Sequence, residues 1–77
     1  MIRIFIADDH PIVRQGLRRI VEADPGLAIS GEAGDADQLL AALDRAVTDL
    51  VLLDVSMPGG PFLETLQRLR AKHPTVR

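Results

Sequence analysis

Leu50, Val51, Leu52 and Leu53 run straight into Asp54, and Val55, Ser56, Met57, Pro58, Gly59 and Gly60 follow. Four apolar residues thus deliver one carboxylate to a Pro/Gly loop. An unbroken apolar run of this length, opened by Asp49 and closed by Pro58 and Gly59, reads as a strand buried on both faces. Asp54 then stands at the carboxyl end of that strand, where open α/β sheets bind ligands and do their chemistry.

The remaining segments alternate in type around this one. Residues 2–7, apolar but for Arg3 and rich in β-branched side chains, read as a buried strand that stops at Asp8, Asp9 and His10. Pro11 suits a first helical position, with Asp9 or His10 as the cap. Ile12, Val13, Leu17, Ile20 and Val21 then recur at helical spacing and predict a helix over 11–23, weakened a little by Gly16. Asp24, Pro25 and Gly26 form a turn. Residues 27–33 alternate only partly and are less apolar, as expected of an edge strand. Gly34 and Asp35 cap a second helix over 36–47, whose Leu39, Leu40, Leu43 and Val47 make the buried stripe. Phe62, Leu63, Leu66 and Leu69 mark a third helix over 61–72, stopped by Pro74, and residues 75–77 read as the start of another strand.

The predicted order is βαβαβα. Parallel strands joined through helices need right-handed crossovers, and if the first strand is central the order is 2-1-3 in a doubly wound parallel sheet of α/β class. The first helix then covers one face and the other two cover the opposite face. In this arrangement the carboxyl ends of the first and third strands are neighbours, so Asp8 and Asp9 are expected beside Asp54.

Composition narrows the chemistry. A chain of 77 residues makes one domain with a marginal core, and with Phe5 and Phe62 the only aromatics that core is aliphatic. The absence of cysteine removes disulfides, thiolate metal sites and thiol nucleophiles, and agrees with a reducing cytoplasm. A net charge of −2 supplies no basic footprint for nucleic acid, and Arg14, Arg18 and Arg19 read as a solvated helix face. The apolar runs are too short to span a membrane.

Three like charges at one sheet edge repel unless they bind a cation or share protons. Hard oxygen donors at such an edge suit Mg²⁺. Asp8 and Asp9 alone would read as helix caps; a third Asp ending a second strand favours the metal site. Asp54 is the candidate nucleophile, able to take a phosphoryl group as an acyl phosphate, its bland alternative being a strand terminator. The only lysine, Lys72, lies near the end of the third helix and is badly placed to hold a phosphate. His10 reads as a cap or surface residue, His73 as surface, and Met57 and Phe62 as loop packing.

The run from Ile4 through Asp8, Asp9, His10, Pro11 and Arg14 to Leu17, with Leu52, Leu53, Asp54, Val55, Ser56, Met57, Pro58 and Gly59, resembles the receiver domain of two-component response regulators. The Asp-Asp-His-Pro segment resembles the NarL/FixJ branch. The resemblance covers the whole chain and implies a flavodoxin-like sheet. It implies Asp54 as phospho-acceptor, Asp8 and Asp9 as Mg²⁺ ligands with Asp9 nearer the metal, and a further ligand from the backbone carbonyl of Ser56. It also implies a sensor histidine kinase as phosphodonor, no turnover of its own, and a DNA-binding domain farther along the chain. Where the family commonly has Asn-Gly or Asp-Gly before the third helix, this chain has Pro61 and Phe62, which implies an altered loop shape.

A receiver has five strands, so residues 1–77 correspond to its first three-fifths, without the switch Ser/Thr, the phosphate-binding Lys and the output face. Two expectations follow: an exposed apolar edge at Leu50–Leu53 that drives homodimer or higher assembly, and weak or absent phosphorylation. Two other classes stay open, a Mg²⁺-dependent phosphohydrolase using Asp54 and an inert structural or dimerisation module. The first is disfavoured by Ser56, where such enzymes place a second Asp.

Overall fold

Parallel pairing of three short apolar segments organises the chain, which a computed structural model describes over residues 1–58 and 62–73. The elements are β1 (Ile2–Ala7), α1 (Pro11–Glu22), β2 (Leu27–Ala33), α2 (Ala36–Leu43), β3 (Leu50–Leu53) and α3 (Phe62–Lys72). β1 is central and pairs in parallel with β2 on one side and β3 on the other, so the order is β2-β1-β3, as expected. The expected start of the third helix at Pro61, its stop at Pro74 and the strand-like run 75–77 lie outside the described residues.

Successive side chains of β1 point to opposite faces, and each face has its own core. Phe5 and Ala7 pack with Ala33, Leu39, Leu43 and Leu69 beneath α2 and α3. Ile4 and Ile6 pack with Val21 beneath α1, with Leu17, Ile29, Leu50 and Leu52 partly buried around them. The first core is the better filled: Phe5 and Leu39 are fully buried there. On the α1 side the covering is partial. Leu50–Leu53 are half-buried rather than enclosed on both faces, because among the described residues β3 has a neighbouring strand on one side only. Of the apolar residues expected to be packed on α1, Val21 is buried and Leu17 half-buried, while Ile12 and Ile20 are 83% and 71% exposed. They occupy the adjoining arc of the helix, beyond the reach of the sheet.

α2 is shorter than its sequence pattern. Asp35 caps it, its side chain accepting the Gln38 N–H at 2.8 Å. At the other end the N–H groups of Arg45 and Ala46 both donate to the Ala42 carbonyl, at 3.0 and 3.1 Å. This tightened turn ends the helix at Leu43, and Val47, expected on the buried stripe, is 67% exposed. Asp44, just beyond, accepts from Lys72 Nζ at 2.9 Å and lies 3.2 Å from His73 Nε2, tying the end of α2 to the end of α3. The Lys72 contact leads in holding the Asp44 carboxyl below the ordinary range. His73, expected at the surface, is half-buried by the same contact.

β2 carries one irregularity. Ile4 stands opposite Ile29 and Phe5 opposite Gly31, so Ser30 is an extra residue, and its hydroxyl pairs with that of Thr48 at 2.7 Å. A Cβ at position 31 would lie 2.7 Å from Cε2 of the fully buried Phe5 ring, which has no room to withdraw. Gly31→Ala is therefore expected to destabilise the fold by ~1–3 kcal/mol in urea unfolding. A midpoint equal to that of the parent protein would show that the ring has slack.

Candidate functional site

The β1–β3 ladder ends at Ala7 opposite Leu53, and the backbone pairing continues one residue further. The Asp54 N–H donates to the Ala7 carbonyl at 2.9 Å, and the Asp8 N–H donates to the Ala33 carbonyl at 3.0 Å. Asp8 and Asp54 thus leave adjacent strands at the same level. Single donor atoms of Asp8, Asp9, His10 and Asp54 all lie within 4.8 Å of one another. The three carboxylates expected to meet do meet. The Asp8 residue is 9% exposed, whereas the Asp9 side chain is 34% exposed, so the cluster is closed at its base and open at its mouth.

Asp54 is held from the following loop. The Ser56 N–H and hydroxyl both donate to Asp54 Oδ1, at 3.0 and 2.9 Å. These donors, the backbone one first, keep the Asp54 carboxyl below the ordinary carboxylate range, with His10 adding to the effect. Met57 is buried in the core under α2 and α3, as expected of loop packing, and the Pro58 carbonyl accepts the Ala36 N–H at 3.0 Å. The loop that aims Asp54 is therefore anchored to α2.

His10, expected as a cap or surface residue, is a surface residue with its side chain 59% exposed. It occupies the N-cap position of α1 with extended backbone (φ −101°, ψ 105°), yet its side chain makes no capping bond. Its Nδ1 instead lies 2.7 Å from Asp8 Oδ1, 3.0 Å from Asp9 Oδ1 and 3.7 Å from Asp54 Oδ2. Asp8 Oδ1 also accepts the His10 N–H at 2.8 Å. The hydrogen bond to Asp8, followed by the charge of Asp9, raises the His10 pKa. Three convergent anions draw in the nearest group able to carry positive charge. The sequence signal was present in the position of His10, directly after the acid pair.

Oxygen donors without thiolate match a hard divalent cation such as Mg²⁺. Beside them a crevice of about 270 Å³ is lined by Ala7, Asp8, Leu17, Leu52, Leu53 and Asp54. A larger hollow of about 660 Å³, lined by Met1, Ile2, Arg3, Ile4, Leu27, Asp49 and Leu50, lies at the opposite end of the strands. It gathers no comparable set of carboxylates, so the smaller crevice is the one with chemistry.

The response regulator receiver domain family matches residues 4–77. The chain belongs to that family. It is 41% identical over 68 residues to the nitrate/nitrite response regulator protein NarP of Escherichia coli, covering 88% of this chain and 32% of NarP. It is 38% identical over all 77 residues to the DNA-binding transcriptional activator DevR/DosR of Mycobacterium tuberculosis, covering 36% of that protein. Among solved structures, RcsB of Salmonella enterica serovar Typhimurium, bound to a promoter in the presence of a phosphomimetic, superimposes with a TM-score of 0.93 at 29% identity. That match covers 99% of this chain and 39% of RcsB. The chain thus spans about a third of the length of the curated relatives it matches. These matches agree with the strand order and bear out the NarL/FixJ-type resemblance.

Removing the Ser56 hydroxyl leaves its N–H donor in place but weakens the hold on ionised Asp54. A group whose folded pKa is depressed contributes stability above its unfolded pKa and loses it as pH falls through the folded value. In Ser56→Ala the Asp54 carboxyl should titrate at higher pH than in the parent protein, read by ¹³C carboxyl shifts, and acid unfolding should begin at higher pH. An unmoved titration would show that the backbone donor alone sets the value.

Proposed function

We propose that the chain is the phospho-acceptor module of a response regulator that controls transcription, with Asp54 the residue phosphorylated by a sensor histidine kinase. The observation that supports this reading is the meeting of Asp8, Asp9 and Asp54 within 4.8 Å at the carboxyl ends of β1 and β3. Asp8, Asp9 and Asp54, with the Ser56 main-chain carbonyl, would hold Mg²⁺. When bound, that ion supplies charge neutralisation to the oxygens of the transferring phosphoryl group.

The protein's own part is to present a nucleophile. Ser56 keeps Asp54 ionised and fixes Oδ1. An Asp54 oxygen bonds to phosphorus as the P–N bond of a phosphohistidine breaks, the imidazole leaves with the electron pair, and Asp54 becomes an acyl phosphate. The module receives and relays a group rather than turning over a substrate. Its output in the full-length protein passes through a DNA-binding segment, a reading supported by the name of DevR/DosR, a DNA-binding transcriptional activator. The reading places the protein in the cytoplasm, and among the described residues no helix is long and apolar enough to cross a membrane.

Lys72, the one lysine of the 77 residues, is engaged with Asp44. Among the described residues no lysine ammonium therefore stands ready to hold the phosphoryl oxygens, and phosphorylation of residues 1–77 should be slow. Incubation with acetyl phosphate and Mg²⁺, followed by intact mass, should show a slow, partial gain of one phosphoryl group that Asp54→Asn abolishes. Incorporation that persists in Asp54→Asn, or none on the parent protein, overturns the assignment.

We further propose that a second copy covers the half-open β3 edge and α1 side, where Leu50, Leu52, Ile12 and Ile20 are partly or fully exposed. Sedimentation at micromolar concentration should report a dimer or larger species; a folded monomer would sink this proposal.

A further inference from the structure

Arg14 stands outside the acidic cluster, yet it grips the main chain that carries it. It lies one turn into α1, its N–H donating to the His10 carbonyl at 3.0 Å. Its side chain, 23% exposed, folds back so that Nη1 donates to the main-chain carbonyl of Asp8. Its Nε lies 3.5 Å from Glu32 Oε1 on β2. Glu32 is held in turn through its other oxygen by Arg18, which also bonds Glu22 at 2.9 Å.

The Asp8 carbonyl belongs to the peptide that joins Asp8 to Asp9. Planarity of that peptide couples its orientation to the directions in which both side chains leave the backbone. With the Asp8 N–H fixed on Ala33 and its carbonyl fixed on Arg14, the rotation between the two acids is set from the β2 side. We propose that Arg14 is a positioning residue for the acid pair: by bridging the Asp8 carbonyl and Glu32, it sets where the Asp8 and Asp9 carboxylates stand toward a bound Mg²⁺. The inference rests on the metal-site reading above.

Two features separate this role from general charge. A guanidinium offers several donors in a rigid fork, whereas a lysine ammonium is a point charge on a flexible stem, so Arg14→Lys keeps the charge and loses the bridge. The sign of the charge effect is also opposite. A cation near the cluster repels Mg²⁺, so Coulomb's law alone makes Arg14→Ala bind the ion more tightly. Loss of positioning makes it bind more weakly.

The test is Mg²⁺ titration at constant ionic strength, followed by amide shifts, on the parent protein, Arg14→Lys, Arg14→Ala and Arg18→Ala, with hydrogen exchange of the His10 amide measured without Mg²⁺. Arg14→Lys and Arg14→Ala should each raise the Mg²⁺ dissociation constant about tenfold, the usual scale for an outer-shell partner, and speed exchange at His10. Arg18→Ala, which touches Glu32 but not Asp8, should leave the affinity unchanged. Unchanged or tighter binding in both folded Arg14 variants overturns the proposal, as does equal weakening by Arg18→Ala. Should Arg14→Ala fail to fold, Arg14→Lys decides. A parent protein that ignores Mg²⁺ refutes the metal-site reading instead. His10 exchange then decides whether Arg14 holds the loop: faster exchange in Arg14→Lys supports it, and an unchanged rate overturns it.

Discussion

The hydrogen bond from the Asp54 N–H to the Ala7 carbonyl is the point on which the site depends. It exists because two apolar strands of unequal length, separated by more than forty residues, end in register. β1 has six residues and β3 four, and pairing of Ile4 with Leu50 aligns Ala7 with Leu53 at the far end. A slip of one residue would point Asp54 to the opposite face of the sheet from the one it now shares with the acid pair. Register here is held by burial: Phe5 and Ile6 are each fully enclosed, on opposite faces, and neither tolerates exchange with the other.

The site then assembles a charge problem and partly answers it locally. Three carboxylates within a few ångströms destabilise the fold unless something positive or proton-donating stands among them. The chain supplies the His10 ring and the two Ser56 donors, all from loops that immediately follow the strands. None of these groups closes the mouth of the cluster, where Asp9 remains partly exposed. A site that a cation enters and leaves needs this kind of incomplete compensation: enough to keep the acids ionised and in place, too little to saturate them.

Much of this was legible in the residues. Strand identities followed from apolar runs that end in carboxylates, and the convergence of Asp8, Asp9 and Asp54 followed once the first strand was taken as central. What escaped has a common cause. Helix length failed at Val47 because apolar spacing continues past the point where Arg45 and Ala46 turn back on Ala42. The exposure of Ile12 and Ile20 escaped because periodicity shows that an arc is apolar without showing how much of it a three-stranded sheet reaches. His10 and Arg14 escaped because their roles depend on where a side chain folds after a loop, and neither spacing nor composition encodes that direction. Each miss belongs to tertiary geometry acting on a residue whose local pattern permits two outcomes.

The extra residue in β2 has an effect that reaches beyond its own neighbourhood. Strand side chains alternate with period two, so one inserted residue inverts the phase of everything after it. Before Ser30, Ile29 faces the α1 core; after it, Ala33 faces the α2 and α3 core, and Glu32 faces α1. Were Ser30 paired with Phe5 instead of bulged out, Glu32 would fall opposite Ala7 and be driven among Phe5, Leu39 and their neighbours, and Arg14 would lose its partner. Ser30 thus works as a parity switch in the chain: a residue with a modest contact of its own decides which half of β2 is written for the core and which for the charges that brace the acidic loop.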